Sequence, residues 1–263
     1  AASSRVITNR QSLNDWFPSR VGAPEYFTAR LVTSRSEALA EIRKQAKDGV
    51  DLIKIAMDGT HRRPNGEIIA AFTADETREM VEEAHRLGCK VATHAYGREA
   101  VMYAARAGVD LVFHAFYMDD ACIEALLEAG SILAPTMTFP QNTVDFCQPH
   151  DPAISTGYAA YCARTLELGA PVLKRAKAAG VPFACGSDSG FAVTPYGEWH
   201  ARELELLVRH LDFTPAEALF AATHVGARLM PRGETLGTLE PGKQADLLVL
   251  DGSPLDDIRI LQD

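Results

Sequence analysis

One short unit recurs along this chain and restricts its fold more than any other feature. The unit is a helical segment, a glycine, and then a short apolar run, and its glycines are Gly49, Gly88, Gly108, Gly130 and Gly180. Each glycine suits the left-handed residue that ends a helix. In the second and third copies, CKVATHAY and VDLVFHAF, a histidine follows the apolar run at the same place. Strands that alternate with helices, and that are apolar almost throughout, predict a parallel sheet covered by helices.

A parallel sheet of this kind is either open or closed into a barrel, and the polar residues near the strand ends distinguish the two. Lys54, His94, His114, Thr136 and Asp188 lie at or just after the ends of successive predicted strands. In a (β/α)8 barrel the carboxyl ends of the strands form one rim, where catalytic residues are found. An open sheet usually carries a glycine-rich phosphate loop after its first strand, and the sequence has none. We therefore predict an α/β fold of the (β/α)8, TIM-type barrel class.

The predicted rim residues indicate metal chemistry. His94, His114 and Asp188 would supply two imidazoles and a carboxylate, a common ligand set for Zn²⁺, Mn²⁺ or Fe²⁺. A single histidine at a strand end is more often a hydrogen-bonded structural residue, but two in register on adjacent strands favour a site. Lys54, inside Leu-Ile-Lys-Ile-Ala, is costly in a sheet interior unless its amine is paired or altered.

Composition narrows the class of partner. The net charge of −9 argues against a nucleic acid or an anionic membrane as the main partner, so we expect a small-molecule substrate. No apolar run approaches the roughly 18 residues of a membrane span. The five cysteines form no C-x-x-C pair, which favours reduced thiols and a cytoplasmic location. The chain opens on Ala-Ala-Ser-Ser-Arg rather than Met, so we expect the true N-terminus to be missing, and any signal with it.

The pattern changes in the last third of the chain. Residues 196–211 and 215–229 have the composition of two helices, the second opened by Thr214-Pro215. Turn glycines around short apolar runs in residues 236–251 predict a small β appendage. The proline-containing stretch 139–155 is predicted to be a loop over the barrel mouth.

In their order and spacing, several segments resemble the metal-dependent amidohydrolase superfamily, in particular its imidazolonepropionase-like and prolidase-like branch. The segments are LIKIAMDG around Lys54, VATHAYG around His94, LVFHA around His114, GSDSG around Asp188, the helix end ATHVGARLM, and the closing GTLEPGKQADLLVLDGSPLDDI. The resemblance covers nearly the whole chain. It implies two divalent metals, usually zinc, with His94, His114 and Asp188 as ligands and Lys54 carboxylated on its amine (N6-carboxylysine) as an anionic bridging ligand.

The resemblance also implies a hydrolytic mechanism. A hydroxide that bridges the two metals attacks an amide carbonyl polarised by one of them. Asp188 accepts the proton of the attacking water and passes it to the departing amine. Tyr96 and Arg98, which follow His94, are expected to contact the substrate, with Arg98 suited to clamp a carboxylate. His61 and His224 are expected to be structural.

This sequence departs from the family pattern in lacking a His-x-His pair. By the family's order, Lys54 ends the fourth barrel strand, and residues 5–8 form the third. We expect a partial barrel of strands 3 to 8 in residues 1–231, and the C-terminal part of a β-sandwich in residues 232–263. The first two strands would precede residue 1 or come from another chain. We accordingly expect that residues 1–263 alone neither close the barrel nor complete the metal site, and that the protein is a homo-oligomer.

Three functions remain open at this point. The first is a binuclear hydrolase of amide bonds in dipeptides, including Xaa-Pro, or in N-acyl amino acids. The second is a cyclic-amide hydrolase or deaminase of the imidazolonepropionase type, which generally uses one metal and lacks the modified lysine, so Lys54 discriminates between them. The third is a noncatalytic barrel fragment that serves as a scaffold or subunit.

Overall fold

The computed structural model describes residues 5–9, 29–59, 62–147, 157–191, 193–197 and 199–262. His61 lies outside these ranges, and so do residues 148–155 of the predicted loop 139–155. The chain divides into two compact units, residues 1–133 with 229–231, and residues 134–228 with 232–263. The predicted boundary at residue 231 separates a barrel from a β-sandwich, which is a different division from these two compact units. That boundary stays a prediction.

The first unit is built on a parallel sheet. Its strands are β1 (Val6–Thr8), β2 (Ala29–Leu31), β3 (Leu52–Ala56), β4 (Lys90–Gly97), β5 (Leu111–Tyr117) and β6 (Ile132–Ala134), the last of which ends where the second unit begins. The strand order is β2-β1-β3-β4-β5-β6. β1 to β5 pair in parallel, and the alternating apolar residues Ile53, Ile55, Val91 and Val112 have no exposed surface. The predicted α/β fold is confirmed.

Four helices connect these strands: α1 (Arg35–Lys47), α2 (Ala74–Arg86), α3 (Arg98–Arg106) and α4 (Asp120–Ala129). Side-chain caps begin three of these helices: Ser34, Thr73 and Asp119 each accept a backbone N–H from the first turn. Thr73 and Glu76 form the complete reciprocal capping box. The five glycines of the repeated unit all have a left-handed backbone, with φ between 68° and 92°, as predicted.

The described part of the second unit is mostly helical. It contains α5 (Thr138–Phe146), α6 (Tyr158–Ala179), α7 (His200–Leu211) and α8 (Pro215–Phe220), followed by a π-helical turn (Ala221–Val225) and 3-10 turns at Gly233–Thr235 and Ile258–Gln262. α8 begins as predicted, with Thr214 as the cap and Pro215 in the first turn. None of the helices in the described ranges is both long and apolar enough to cross a membrane.

Two predicted segments differ in the structure. The stretch predicted as a loop from residue 139 begins as helix α5, because Pro140 lies in the first turn, where its missing N–H leaves no helical hydrogen bond unmade. The run after Gly180 forms no strand ladder, and only Phe183 makes an isolated bridge. β2 was not predicted, so the sheet has as many strands as expected but not the same ones.

The segment predicted as a β appendage also differs from its prediction, because it forms turns rather than strands. Among described residues 232–262 none is in a β-strand, and local turns such as Lys243 N–H to Glu240 C=O take up backbone groups. A strand requires a partner for its other hydrogen bonds. Leu248 and Val249 are 81% and 90% exposed, which is unusual for consecutive apolar residues. The assignment of residues 232–263 to a β-sandwich stays a prediction.

Candidate metal and catalytic site

The two histidines of the repeated unit contact each other. Nε2 of His114 lies 2.9 Å from Nδ1 of His94, and the rings meet edge to face. β4 and β5 bring them together through a parallel register in which Ala95 lies opposite His114. The histidines were predicted to end their strands. Both strands instead continue past the histidine, β4 to Gly97 and β5 to Tyr117. A register shift between Ala95 and Gly97 interrupts the ladder just beyond them.

Both imidazoles are held neutral. Burial, and secondarily the charge of Lys54, lowers the pKa of His94 to about 3. Burial, His94 and Lys54 lower the pKa of His114 well below its ordinary value. A neutral imidazole has a nitrogen lone pair, which is what a metal ion requires. One ring donates its N–H to the other, so the pair also fixes the orientation of both rings.

Lys54 lies in the middle of β3, opposite Ala92 of β4. Its Nζ lies 3.4 Å from the centre of the Phe113 ring, which is a cation–π contact. The Phe113 ring lies 6.2 Å from the His114 ring, and the charge of Lys54 acts on both histidines, so the amine lies close to the histidine pair. The aromatic contact reduces the cost of placing an ammonium group in the sheet, which the sequence alone left unexplained.

A carboxylate that the sequence analysis did not assign completes this part of the site. Asp58 follows β3, is fully buried, and has one oxygen 3.5 Å from Nε2 of His94. Its carboxylate accepts the backbone N–H groups of Tyr96 and Gly97, at 2.7 to 3.0 Å. Burial raises its pKa to about 7, although these two N–H groups act in the opposite direction. Asp58 therefore fixes the end of β4 beside His94.

Gly97 is required for this arrangement. A Cβ atom there would lie 2.9 Å from Cβ of Ile68 and 3.3 Å from Oδ2 of Asp58. Contacts this short do not occur between relaxed side chains, so only glycine allows its N–H to reach the buried carboxylate. The signal for Asp58 was present in the sequence, since it is the first carboxylate after the apolar run that contains Lys54.

The two predicted substrate-binding residues lie in different surroundings. The Tyr96 ring stacks on His114 with centroids 4.4 Å apart and lies 5.0 Å from His94. Arg98 is exposed, and its guanidinium pairs with Asp119, the cap of α4. Tyr96 is thus a neighbour of the histidine pair, whereas Arg98 would have to leave Asp119 to bind a substrate carboxylate.

The second unit holds the other predicted residues. Asp188 lies in the GSDSG segment, where the hydroxyls of Ser187 and Ser189 are 2.7 Å apart. Thr136 follows β6, is buried, and donates its hydroxyl to the Pro135 carbonyl at 2.6 Å.

The backbone is left-handed at several of the predicted site residues. Among described non-glycine residues with positive φ are His114 (75°), Ala115 (55°), Thr136 (55°) and Asp188 (53°). Histidine and aspartate tolerate this region better than threonine, which is β-branched. Such residues cost on the order of 1–3 kcal/mol each, and they concentrate at functional sites.

A second buried carboxylate organises the segment after Thr136. Glu203, in α7, is fully buried; one oxygen accepts the Met137 N–H at 2.9 Å, and the other accepts the Thr138 N–H and hydroxyl at 2.7 and 2.6 Å. Met137, the residue at the N-cap of α5, has no side-chain cap of its own. Burial raises the pKa of Glu203 to about 7 against these hydrogen bonds, and the charge of Asp188 adds a smaller increase.

The donor set fits a metal only in part. In a tetrahedral zinc site with Zn–N bonds near 2.05 Å, two imidazole nitrogens are about 3.3 Å apart, and the His94–His114 pair is close to that separation. Within the described ranges no cluster of three or more His, Cys, Asp or Glu side chains is positioned to hold a metal ion. The assignment of His94 and His114 as metal ligands stays a prediction.

Comparison with known proteins identifies the family of this chain. The sequence profile described as "Amidohydrolase family" matches residues 7–263. Ochratoxinase of Aspergillus niger is 28% identical over 229 residues, which are 86% of this chain and 46% of that protein. Imidazolonepropionase of Nocardia farcinica is 33% identical over 184 residues, which are 69% of this chain and 41% of that protein.

Two solved structures of hydrolases superpose on nearly the whole of this chain. A Xaa-Pro dipeptidase with methionine bound in its active site superposes with a TM-score of 0.80 at 26% identity, over 100% of this chain and 64% of its own. A prolidase complexed with N-methylphosphonate-L-proline superposes with a TM-score of 0.83 at 27% identity, over 99% of this chain and 64% of its own. The chain spans about half the length of the curated relatives and less than two thirds of these structures.

Proposed function

The chain belongs to the amidohydrolase family, and we propose that the full-length protein is a metal-dependent hydrolase of amide C–N bonds in small substrates. We propose dipeptides, including Xaa-Pro, and N-acyl amino acids as the substrate class. The observation that carries this proposal is the contact between the neutral imidazoles of His94 and His114 on adjacent parallel strands. The similarity to a dipeptidase and a prolidase supports the substrate class.

We propose that His94 and His114 hold a divalent metal, and that this metal is zinc. A metal bound there would supply Lewis-acid polarisation of the amide carbonyl and a water of lowered pKa. The protein keeps both imidazoles unprotonated through burial, and Asp58 holds the β4 end that carries His94. These features support a site that accepts metal without first releasing protons.

Lys54 is the residue that separates a two-metal from a one-metal site. As an ammonium it lowers the pKa of both histidines, which shows that its charge acts on the site. The same charge would repel a metal cation. We propose that its neutral amine adds CO2 and loses a proton to form a carbamate in the active protein, which would reverse the charge and supply carboxylate oxygens to hold a second metal.

Asp188 and Tyr96 have separate proposed roles. Asp188 is proposed as a metal ligand and as the group that takes the proton of the attacking water and passes it to the departing amine. Tyr96, which stacks on His114, is proposed to contact the substrate. The role of Arg98 in binding a substrate carboxylate stays a prediction, because its guanidinium pairs with Asp119.

A second candidate is hydrolysis of a cyclic amide, with one metal. The similarity to imidazolonepropionase favours it. Lys54 argues for the first candidate, because a bridging lysine has no function in a one-metal site.

The test is a substrate screen of the full-length protein against dipeptides, N-acyl amino acids and imidazolonepropionate, with the released amine or acid measured. His94→Ala and His114→Ala should each lower the rate by more than about 100-fold. His85→Ala is the matched control, because His85 is exposed and pairs with Asp110, which directly precedes β5. Equal activity in all three variants would remove the histidine pair from the mechanism.

A further inference from the structure

The second unit brings four aromatic side chains together in a group that we call the aromatic wall: Phe139, Tyr158, Tyr161 and Phe191. The Phe139 ring lies 4.6 Å from the Phe191 ring and 6.3 Å from the Tyr158 ring. The Tyr158 ring stacks on Tyr161 at 5.9 Å. Phe191 is 40% exposed and Tyr161 is 42% exposed. The wall therefore presents aromatic surface rather than burying all of it.

The segment that carries Phe191 is held in place by hydrogen bonds. The Gly190 N–H donates to Thr194 C=O at 2.8 Å, and the Thr194 N–H donates to Phe191 C=O at 2.9 Å. The Asn142 side-chain amide, fully buried in α5, donates to Val193 C=O at 2.9 Å. Phe191 is thus exposed on a tight turn that is fixed to α5. A rigid, exposed aromatic ring is suited to bind an apolar group with little ordering cost.

The wall lies next to Asp188. Phe191 follows Asp188 closely in the chain, on the same connection. Tyr158 is also electrostatically coupled to Asp188: burial raises its pKa most, and neighbouring groups that include Asp188 raise it further. Phe191 and Tyr158 of the wall therefore lie near the carboxylate that is proposed to protonate the departing amine.

We infer that the aromatic wall binds the side chain of the departing amine, so that the preferred substrates are amides whose leaving group is an aromatic or other large apolar amino acid. This inference rests on the proposed function, because it uses the role of Asp188 at the leaving group. Ring–ring contacts of this kind add to the burial of apolar area. One added methylene in an apolar pocket changes specificity by at least about 10-fold, so a whole aromatic ring is expected to exceed that.

The experiment uses the full-length protein and a series of N-acetyl amino acids in which only the leaving amino acid changes, from glycine and alanine to leucine, phenylalanine and tryptophan. We expect kcat/KM for phenylalanine to exceed that for alanine by more than about 10-fold. Phe191→Ala should reduce this ratio at least about fivefold, because kcat/KM for the phenylalanine substrate falls by more than kcat/KM for the alanine substrate. Phe191→Leu should fall between the two.

Phe220→Ala is the matched control, because Phe220 is also about half exposed in this unit and stacks on His224 rather than on the wall. It should leave the ratio unchanged. A flat series with measurable hydrolysis, or equal ratios in Phe191→Ala and wild type, would overturn the inference and leave the proposed function intact. No hydrolysis of any member, together with no hydrolysis of the dipeptides in the screen above, would refute the proposed function itself.

Discussion

Replacing Glu203 by glutamine is expected to destabilise the protein, although the two side chains have nearly the same volume. In the wild type, one carboxyl oxygen accepts the Met137 N–H and the other faces the Thr138 N–H and hydroxyl. A protonated carboxyl group can donate to the Thr138 hydroxyl and still accept the Thr138 N–H through its second lone pair. The amide nitrogen of glutamine has only donors at that position, so the Thr138 N–H loses its acceptor.

The magnitude follows from that single lost acceptor. A buried N–H without a partner costs roughly 1–3 kcal/mol, so we expect Glu203→Gln to lower the free energy of unfolding by about 2 kcal/mol. Glu203 is fully buried, and water cannot replace the lost hydrogen bond without a cavity. The cost should fall on the start of α5, which Glu203 caps from α7.

The assay is urea unfolding of the full-length protein at a series of pH values. Glu205→Gln is the control, because Glu205 lies on the same helix, is partly exposed, and pairs with Gln262; it should change the free energy of unfolding by less than about 0.5 kcal/mol. The pKa of Glu203 is about 7 when folded, above its ordinary value of 4.5. Between these pH values the folded protein keeps a proton that the unfolded chain has released, so this group's contribution to stability falls as pH rises.

Glutamine does not titrate, so the stability difference between wild type and Glu203→Gln should be largest near pH 5 and should narrow as the pH approaches 7. If the free energies of unfolding of wild type and Glu203→Gln differ by less than about 0.5 kcal/mol at pH 5, as expected for the control, then Glu203 does not stabilise the start of α5. A difference that stays constant across this pH range would refute the raised pKa.

Three further outcomes are expected. Asp188→Asn in the full-length protein should lower kcat by at least about 100-fold while the metal content is retained, and near-normal turnover would remove Asp188 from proton transfer. Elemental analysis of the metal-saturated protein should give close to two divalent ions per chain; a firm ratio of one, with normal activity in Lys54→Ala, would contradict the binuclear site. Gly97→Ala should lower the urea midpoint by an amount that corresponds to about 1–3 kcal/mol, since its Cβ would collide with Ile68; an unchanged midpoint would show that the strand end can shift.

Features that depend on neighbours in the chain were predictable. The left-handed glycines, the caps of α2 and α8, and the two histidines brought together by one register all follow from patterns a few residues long. The repeated unit sufficed for the histidines because two copies of one supersecondary motif place equivalent residues side by side in a parallel sheet.

Features that depend on distant residues were not predictable. Asp58 and Glu203 act through hydrogen bonds to residues 38 and more positions away in the chain. Helix α5 was predicted as a loop because its start has prolines around it and no local cap, and the group that caps it belongs to α7. A single sequence does not show which remote carboxylate will meet which backbone N–H.

The left-handed backbone at His114 and Asp188 has a consequence for directed evolution. At these positions glycine would relieve the backbone at the expense of the functional side chain. A library selected for heat resistance alone should therefore enrich glycine at Asp188, which is partly exposed, and lose the side chain proposed to move the proton as it gains melting temperature. At His114 the cavity left by the buried ring would oppose that exchange. Laboratory thermostabilisation of this protein will need an activity screen in every round, because at Asp188 the two selections point in opposite directions.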